Sequence, residues 1–350
     1  MLVVLADPPA YTPTYDHALA EALASAGAEV RLLTSPFRFG ARPAPDGYAL
    51  DESLYRHSSR LDASKLRLPA KALEHPLALA RIARARGDVL HLQWLAAPEL
   101  DAWLLRPRLP LVFTAHDILP RRSARRRRAW TRFFEGADRV VVHSQRGHDA
   151  LAGFGVDAAK LRVIPHPVFR APLERRDDGA TVLALGTIRP YKGLADAVEA
   201  VLRVDDARLL VAGDPRVPLD GLRERAGGRA EWRLGYLEPN ALARAVSEAT
   251  VAVFPYRAEL DQSGALMQAL GAGVPAVVYD VGGLAEPVAA FGAGTVVPPG
   301  DVDGLAAALR ALLDDPVALA AARSGAEQAR EELTWDTAAH SHLEVYRELV

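Results

Sequence analysis

The chain of 350 residues contains no cysteine at all. That absence excludes a disulfide framework, a thiolate nucleophile and the cysteine-ligated zinc and iron–sulfur sites, and it fits a reducing cytoplasm. No secretory signal is expected, since Met1-Leu2-Val3-Val4-Leu5-Ala6-Asp7 reads as a strand and lacks a charged segment followed by a long apolar stretch. No apolar run approaches the roughly 18 residues of a membrane helix, so any membrane contact is expected to be peripheral, at the inner face. No Gly-x-Gly-x-x-Gly follows the first strand, which disfavours a dehydrogenase. No nucleic-acid recognition motif is present, and no nucleic-acid partner is expected.

What is present is ordinary for a globular protein: half of the residues are hydrophobic and a quarter are charged. The length exceeds what one core usually supports, so two domains of roughly 150 to 180 residues are expected. The net charge of −2 conceals an asymmetry, because residues 1–170 carry +8 and residues 171–350 carry −10. Two halves of opposite sign point to different ligands, and the basic half suits an anionic partner or surface.

Short apolar runs alternate with longer alanine-rich stretches of helical periodicity, the pattern of parallel sheets wrapped by helices. Strands are expected at Leu2–Ala6, Glu29–Leu33, Asp88–Gln93, Leu111–Ala115, Arg139–His143 and Leu161–Ile164, then again at Thr181–Gly186, Ala207–Gly213, Ala230–Gly235, Val251–Pro255 and Pro275–Tyr279. Helices are expected at Leu194–Leu202 and Glu238–Glu248. His166 to Gly179, with paired prolines and a charged run, reads as a hinge linker. The expected fold class is therefore α/β, with an N-terminal Rossmann-like domain at 1–170, a second at 171–334 and a final amphipathic helix at 335–350.

The most informative stretch is Leu185-Gly186-Thr187-Ile188-Arg189-Pro190-Tyr191-Lys192-Gly193-Leu194, a strand that turns into a helix. Such a turn presents backbone N–H groups and a positive helix end to an anion, while Arg189 and Lys192 add two charges suited to a diphosphate. Gly186 and Gly193 permit close backbone approach. His116 and Asp117 follow the Leu111–Ala115 strand, at the carboxyl edge where open α/β sheets bind ligands. The proline-rich loop Pro8 to His17 carries Tyr15, Asp16 and His17. Together with Tyr11 these residues either shape an acceptor site or form a rigid helix-capping loop. The run Arg121 to Arg132 reads either as a solvated helix face or as a site for an anionic lipid or phosphate-bearing acceptor.

The turn at 185–194 resembles the Gly-Arg-x-x-Pro-x-Lys-Gly element of the family 4 glycosyltransferases, also called glycosyl transferases group 1. The resemblance continues in order through Ala115-His116-Asp117, Ala137 to Ser144, Leu161 to His166, Val211-Ala212-Gly213-Asp214, Gly235-Tyr236-Leu237 and Val281 to Glu286. It implies the GT-B fold, in which two doubly wound domains face each other across a cleft and the C-terminal helix crosses back to the N-terminal domain. It further implies a retaining, metal-independent transfer of a sugar from a nucleoside diphosphate donor to a sugar, lipid or small-molecule acceptor, with no cofactor. No Asp-x-Asp pair at a strand end suggests otherwise.

By this resemblance the donor is held by Gly186, Arg189, Lys192, Gly213, Tyr236 and Leu237, together with the segment from Glu259 to Gln268. His116, Arg189 and Lys192 take the catalytic roles, and Tyr11, Tyr15, Asp16, His17, His116 and Asp117 line the acceptor side. The sequence departs from the family at its two glutamates. The second aligns with Gln268, a neutral group that still hydrogen-bonds a ribose, and the first aligns with Leu260. Glu259 or Asp261 is the expected substitute, and Gln262-Ser263-Gly264 resembles a Gln-Ser-Gly variant in which amides at a helix start hold phosphate and sugar. Two other outcomes stay open: a nucleotide-sugar epimerase of the same fold, and a catalytically silent partner of an active enzyme.

Overall fold

The computed structural model of the chain describes residues 1–40, 42–61, 65–118, 126–170, 174–257 and 262–350. The chain divides into two compact units, Met1–Pro165 with Trp335–Val350, and His166–Thr334.

The first unit is built on a parallel sheet, in the order β3-β2-β1-β4-β5-β6-β7 among the described residues. Its strands are β1 (Leu2–Asp7), β2 (Glu29–Thr34), β3 (Ala49–Asp51), β4 (Val89–Leu92), β5 (Leu111–Thr114), β6 (Arg139–Val142) and β7 (Leu161–Val163). The second unit repeats the plan with β8 (Thr181–Leu185), β9 (Arg208–Gly213), β10 (Ala230–Leu234), β11 (Val251–Phe254), β12 (Ala276–Tyr279) and β13 (Gly294–Val297), ordered β10-β9-β8-β11-β12-β13. Each unit is thus an α/β, Rossmann-like domain. β4, β5, β11 and β12 are buried at every residue. Strands covered by helices on both faces have no solvent side, which is why they read as unbroken apolar runs.

Local chemistry closes the helices. Ser144 caps Gln145–Phe154 by accepting from the Gly147 amide at 2.8 Å, and Gly155 ends it at φ +109°. Pro13 occupies the first turn of Pro13–Ser25, where its missing N–H costs nothing.

The final helix, Trp335–Arg347, belongs to the first unit, where Tyr346 and His342 are fully buried. Beyond it Glu348 pairs with Arg139 at 2.8 Å and Arg162 at 2.6 Å, and these two guanidinium groups hold its carboxyl down at about 2. The stretch read as a linker is partly structured. Val168 is buried and donates its N–H to the Leu333 carbonyl, and Phe169 N–H donates to the Met267 carbonyl, so His166–Phe169 pack with the second unit.

Both sheets reverse their winding direction once, between β1 and β4 in the first unit and between β8 and β11 in the second. Helices leave the sheet on opposite faces on either side of such a point, and a crevice opens at the carboxyl ends of the two strands. Each unit therefore has one position where its fold predisposes it to bind a ligand.

Candidate active site

In the second unit that position is formed by the turn after β8 and the segment after β11. Gly186 leaves β8 at φ +102°, a single 3₁₀ turn follows at Pro190–Lys192, and Gly193 at φ +66° starts the helix Leu194–Leu202. A Cβ on Gly193 would stand 1.8 Å from the Pro255 carbonyl oxygen, at the end of β11. One on Gly213 would stand 2.0 Å from the Gly186 oxygen. Both glycines are present because backbone passes directly over backbone here.

This close approach folds Lys192 back over the turn. Its Nζ lies 3.1 Å from where a Gly186 Cβ would be and 4.8 Å from the centroid of the buried Tyr256 ring. Arg189 is exposed beside it. Neither cation has an ion-pair partner among the described residues, and both stand on the turn between the carboxyl end of β8 and the start of a helix.

Gly235 donates its N–H to the Gly213 carbonyl at 3.0 Å, which brings Tyr236, about half exposed, and Leu237 to the same edge. Tyr256 Oη lies 3.1 Å from Ser263 Oγ, and Ser263 caps the helix Gly264–Gly271. Gln262 is used internally: its amide donates to the Gly283 carbonyl at 3.1 Å, and its side-chain oxygen accepts from Ser263 N–H at 2.9 Å. Gly264 is exposed at that helix start. Gln268, on the same helix, is half-buried and makes no hydrogen bond with a described residue. Glu259 and Asp261 lie outside the described residues, as do Arg121, Arg122 and Arg125.

In the first unit, Asp7 ends β1, and Gln93 and Trp94 follow β4. His116, two residues past β5, sits among them. Its Nε2 is 2.9 Å from Gln93 Oε1, Trp94 stacks on its ring at 5.2 Å and 16°, and Tyr15 meets it edge-on at 4.7 Å. On its other side its Nδ1 lies 3.4 Å from His143 Nε2. His143 donates from Nδ1 to the Ile164 carbonyl at 2.9 Å, and burial pushes its pKa down to about 4, so its Nε2 carries a lone pair. The polar chain continues inward, from the Gln93 amide to His91 Nε2 at 3.3 Å and from His91 Nδ1 to Tyr346 Oη at 2.7 Å. Asp117 is half-buried next to His116.

The first-loop expectation needs correction. Tyr15, Asp16 and His17 lie within the helix Pro13–Ser25 and are buried. The helix starts at Pro13, and its first turn points these side chains into the domain. Asp16 faces Asp7, and burial together with that neighbouring carboxylate holds its carboxyl well above the usual range. His17 bonds Tyr48. Tyr11, 59% exposed and edge-on to Trp94 at 5.5 Å, is open on that side.

Gln93, Trp94 and His143 were not singled out in the sequence. A signal existed, since Trp94 directly follows the predicted Asp88–Gln93 strand and so had to fall on the carboxyl edge. The described part of the arginine run is largely engaged by protein: Arg127 donates to the Phe154 carbonyl at 2.7 Å, and Arg132 covers the Trp103 ring at 4.4 Å. Among the described residues no group of three His, Asp or Glu side chains is placed to hold a metal ion.

Comparison with known proteins adds to this geometry. Residues 14–169 match the family described as Glycosyltransferase Family 4, and residues 179–315 match Glycosyl transferases group 1. The chain is 30% identical over 292 residues to a glycogen synthase of Mycobacterium tuberculosis, covering 75% of this chain and 69% of that protein. It is 28% identical over 352 residues to a phosphatidyl-myo-inositol mannosyltransferase of Mycobacterium leprae, covering 94% and 90%. Among solved structures, sucrose-phosphate synthase from Thermosynechococcus elongatus aligns over 100% of this chain and 99% of its own with a TM-score of 0.77 at 22% identity. Anabaena HepE in complex with UDP-glucose aligns over 100% of both chains with a TM-score of 0.74 at 16% identity. These structures carry the GT-B fold.

Proposed function

The chain belongs to the family 4 glycosyltransferases, and from that premise we propose that it moves a sugar from a nucleoside diphosphate sugar to an acceptor hydroxyl, with retention of anomeric configuration and no metal requirement. The observation that carries the reading is the pair Arg189 and Lys192 on the Gly186–Gly193 turn, neither of them ion-paired with a described residue. As the bond from the anomeric carbon to phosphate breaks, the electron pair goes to the diphosphate, and these two cations and the turn's amides oppose the developing charge. The acceptor oxygen bonds to the oxocarbenium-like carbon, and its proton passes to a phosphate oxygen of the leaving group. The HepE neighbour's complex with UDP-glucose supports such a donor. The mannosyltransferase and glycogen synthase relatives support a lipid-linked or glycan hydroxyl as acceptor. His116, with Trp94 stacked on it and Tyr11 nearby, offers the flat, partly polar surface that a sugar ring packs on.

The test is calorimetric titration with UDP, GDP and ADP. Each charge-assisted contact contributes roughly 1.5 to 3 kcal/mol, so Lys192→Ala is expected to weaken the preferred diphosphate at least about tenfold. Equal affinity in that variant would remove the assignment. Gln268 is read as the ribose ligand. Gln268→Glu is then expected to keep donor affinity and Gln268→Leu to lose about tenfold; a leucine variant that binds donor normally places the ribose elsewhere.

A further inference from the structure

The helix Arg67–Ala83 buries one face, with His75, Ala78, Leu79 and Ile82 in the core of the first unit. Its opposite face is apolar as well: Leu73 is 80% exposed, Leu77 73%, and Leu66, just before the helix, 67%. Spaced seven and four residues apart, these three stand on one stripe. A buried polar contact, His75 Nε2 to Asp101 Oδ1 at 2.9 Å, ties this helix to Pro98–Leu104, which exposes Leu100, Trp103 and Leu104 at i, i+3 and i+4, each by more than half. Solvent-facing leucines grouped in this way mark a contact surface rather than scattered surface apolarity.

The leucine stripe runs on into charge. Arg81 and Arg84 continue the Leu73–Leu77 face, and with Arg31 and Arg86 they line a cavity of about 330 Å³ whose one acidic wall residue is Asp51. Arg31, Arg84 and Arg86 make no ion pair with a described residue, and the Arg81 guanidinium donates only to the Ser53 carbonyl, at 3.2 Å. A cavity lined by four arginines against one aspartate fits a phosphate, and its place at the end of an apolar stripe fits a phosphate that comes attached to acyl chains.

We propose that this face docks on an anionic phospholipid bilayer, with Leu66, Leu73, Leu77 and Trp103 in the interface and a lipid phosphate in the arginine-lined cavity. A bilayer matches both halves of the surface. Leucine and tryptophan enter the headgroup–acyl boundary, and arginines beside them meet the negative leaflet. The surface lies wholly within the first unit and does not depend on how the second unit holds a donor.

The test is flotation of the full chain with vesicles of phosphatidylcholine alone or mixed with phosphatidylglycerol. The protein is expected to float with the mixed vesicles only, and to be released by salt. Leu73→Glu and Leu77→Glu are each expected to lower vesicle binding about tenfold. Arg31→Gln, Arg84→Gln and Arg86→Gln are each expected to lower it about fivefold, with leucine-dependent binding left behind. Brominated lipid is expected to quench wild-type fluorescence more than that of Trp103→Phe. All variants change exposed or cavity-lining side chains, so they should retain their melting transitions and diphosphate affinity. Absence of flotation at low salt, or unchanged binding by both glutamate variants, overturns the proposal. So does a wild-type dimer that Leu73→Glu dissociates without any vesicle binding, because the face would then belong to a second copy of the chain.

Discussion

Gly193→Ala is expected to abolish measurable binding of a nucleoside diphosphate and to lower stability by about 3 kcal/mol or more. Two separate effects add at this position. The backbone stands at φ +66°, where an L-residue with a Cβ is strained by roughly 1 to 2 kcal/mol. The new methyl would also overlap the Pro255 carbonyl at 1.8 Å, and both contacting atoms belong to backbone, so no side chain can swing aside. Either the end of β11 or the Pro190–Lys192 turn must shift, and the turn, with fewer buried contacts, is expected to yield. Lys192 and the amides of the helix start then leave the positions from which they meet a phosphate. Gly300→Ala is the control: its φ is also positive, +82°, but no atom lies within 4 Å of the added Cβ. It should show the strain alone, about 1 kcal/mol, with diphosphate affinity intact. Denaturant melts and calorimetry on both variants check this, and a Gly193→Ala protein that binds diphosphate normally would show that the close crossing does not position the anion site.

The second large effect is acid sensitivity of the first unit. His91, His143 and His342 are all buried and all held below the ordinary histidine value of 6.5, His143 at about 4 and His342 at about 3. Burial is the leading cause in each case, because an imidazolium there loses its water. Between 6.5 and each folded value, the unfolded chain takes up protons that the folded chain refuses, so stability falls as the pH falls through that window. His143 alone corresponds to about 3 kcal/mol over its window.

The Asp7–Asp16 pair acts with the opposite sign. Asp16 is held well above the carboxylate value of 3.8, so the folded chain keeps a proton the unfolded chain has released, and stability falls as pH rises through the window above 3.8. Three histidines outweigh one shared carboxyl proton, and the melting temperature is expected to drop steadily below pH 6.5. His342 offers a clean variant, since neither of its ring nitrogens is hydrogen-bonded among the described residues. His342→Phe keeps an aromatic ring beside His91 and Tyr346, removes one proton-binding site and should flatten the pH profile. A wild-type melting temperature that stays level from pH 7 to pH 4 would contradict the buried neutral histidines, as would an unchanged slope in His342→Phe.

The sequence by itself determined the two α/β halves, the placement of most strands and the Gly186–Gly193 turn. Those features are local: a parallel strand covered on both faces must be apolar throughout, and a glycine at a backbone crossing has no substitute. It missed β3, three residues long and only partly buried, and β13, whose Gly294-Thr295-Val296-Val297 is half-buried at three of its four positions and so lacks the unbroken apolar run of the inner strands. The inward turn of Asp16 and His17 was not visible either, because the loop composition that suits sugar contacts also suits a capped helix start.

Only the tertiary structure decided which residues gather around His116. Gln93 comes from the end of β4 and His143 from the end of β6, brought to one edge by strand order, while Trp335 of the final helix packs on Tyr15, which in turn meets His116. Periodicity reports which residues share a face of one element. It carries no information on which element lies next to it, so Gln93 and His143 look like ordinary polar residues at strand ends. The helix Arg67–Ala83 shows the same limit, since it carries leucines on both of its faces, and only packing against the sheet decided that Leu79 lies in the core while Leu73 and Leu77 face solvent.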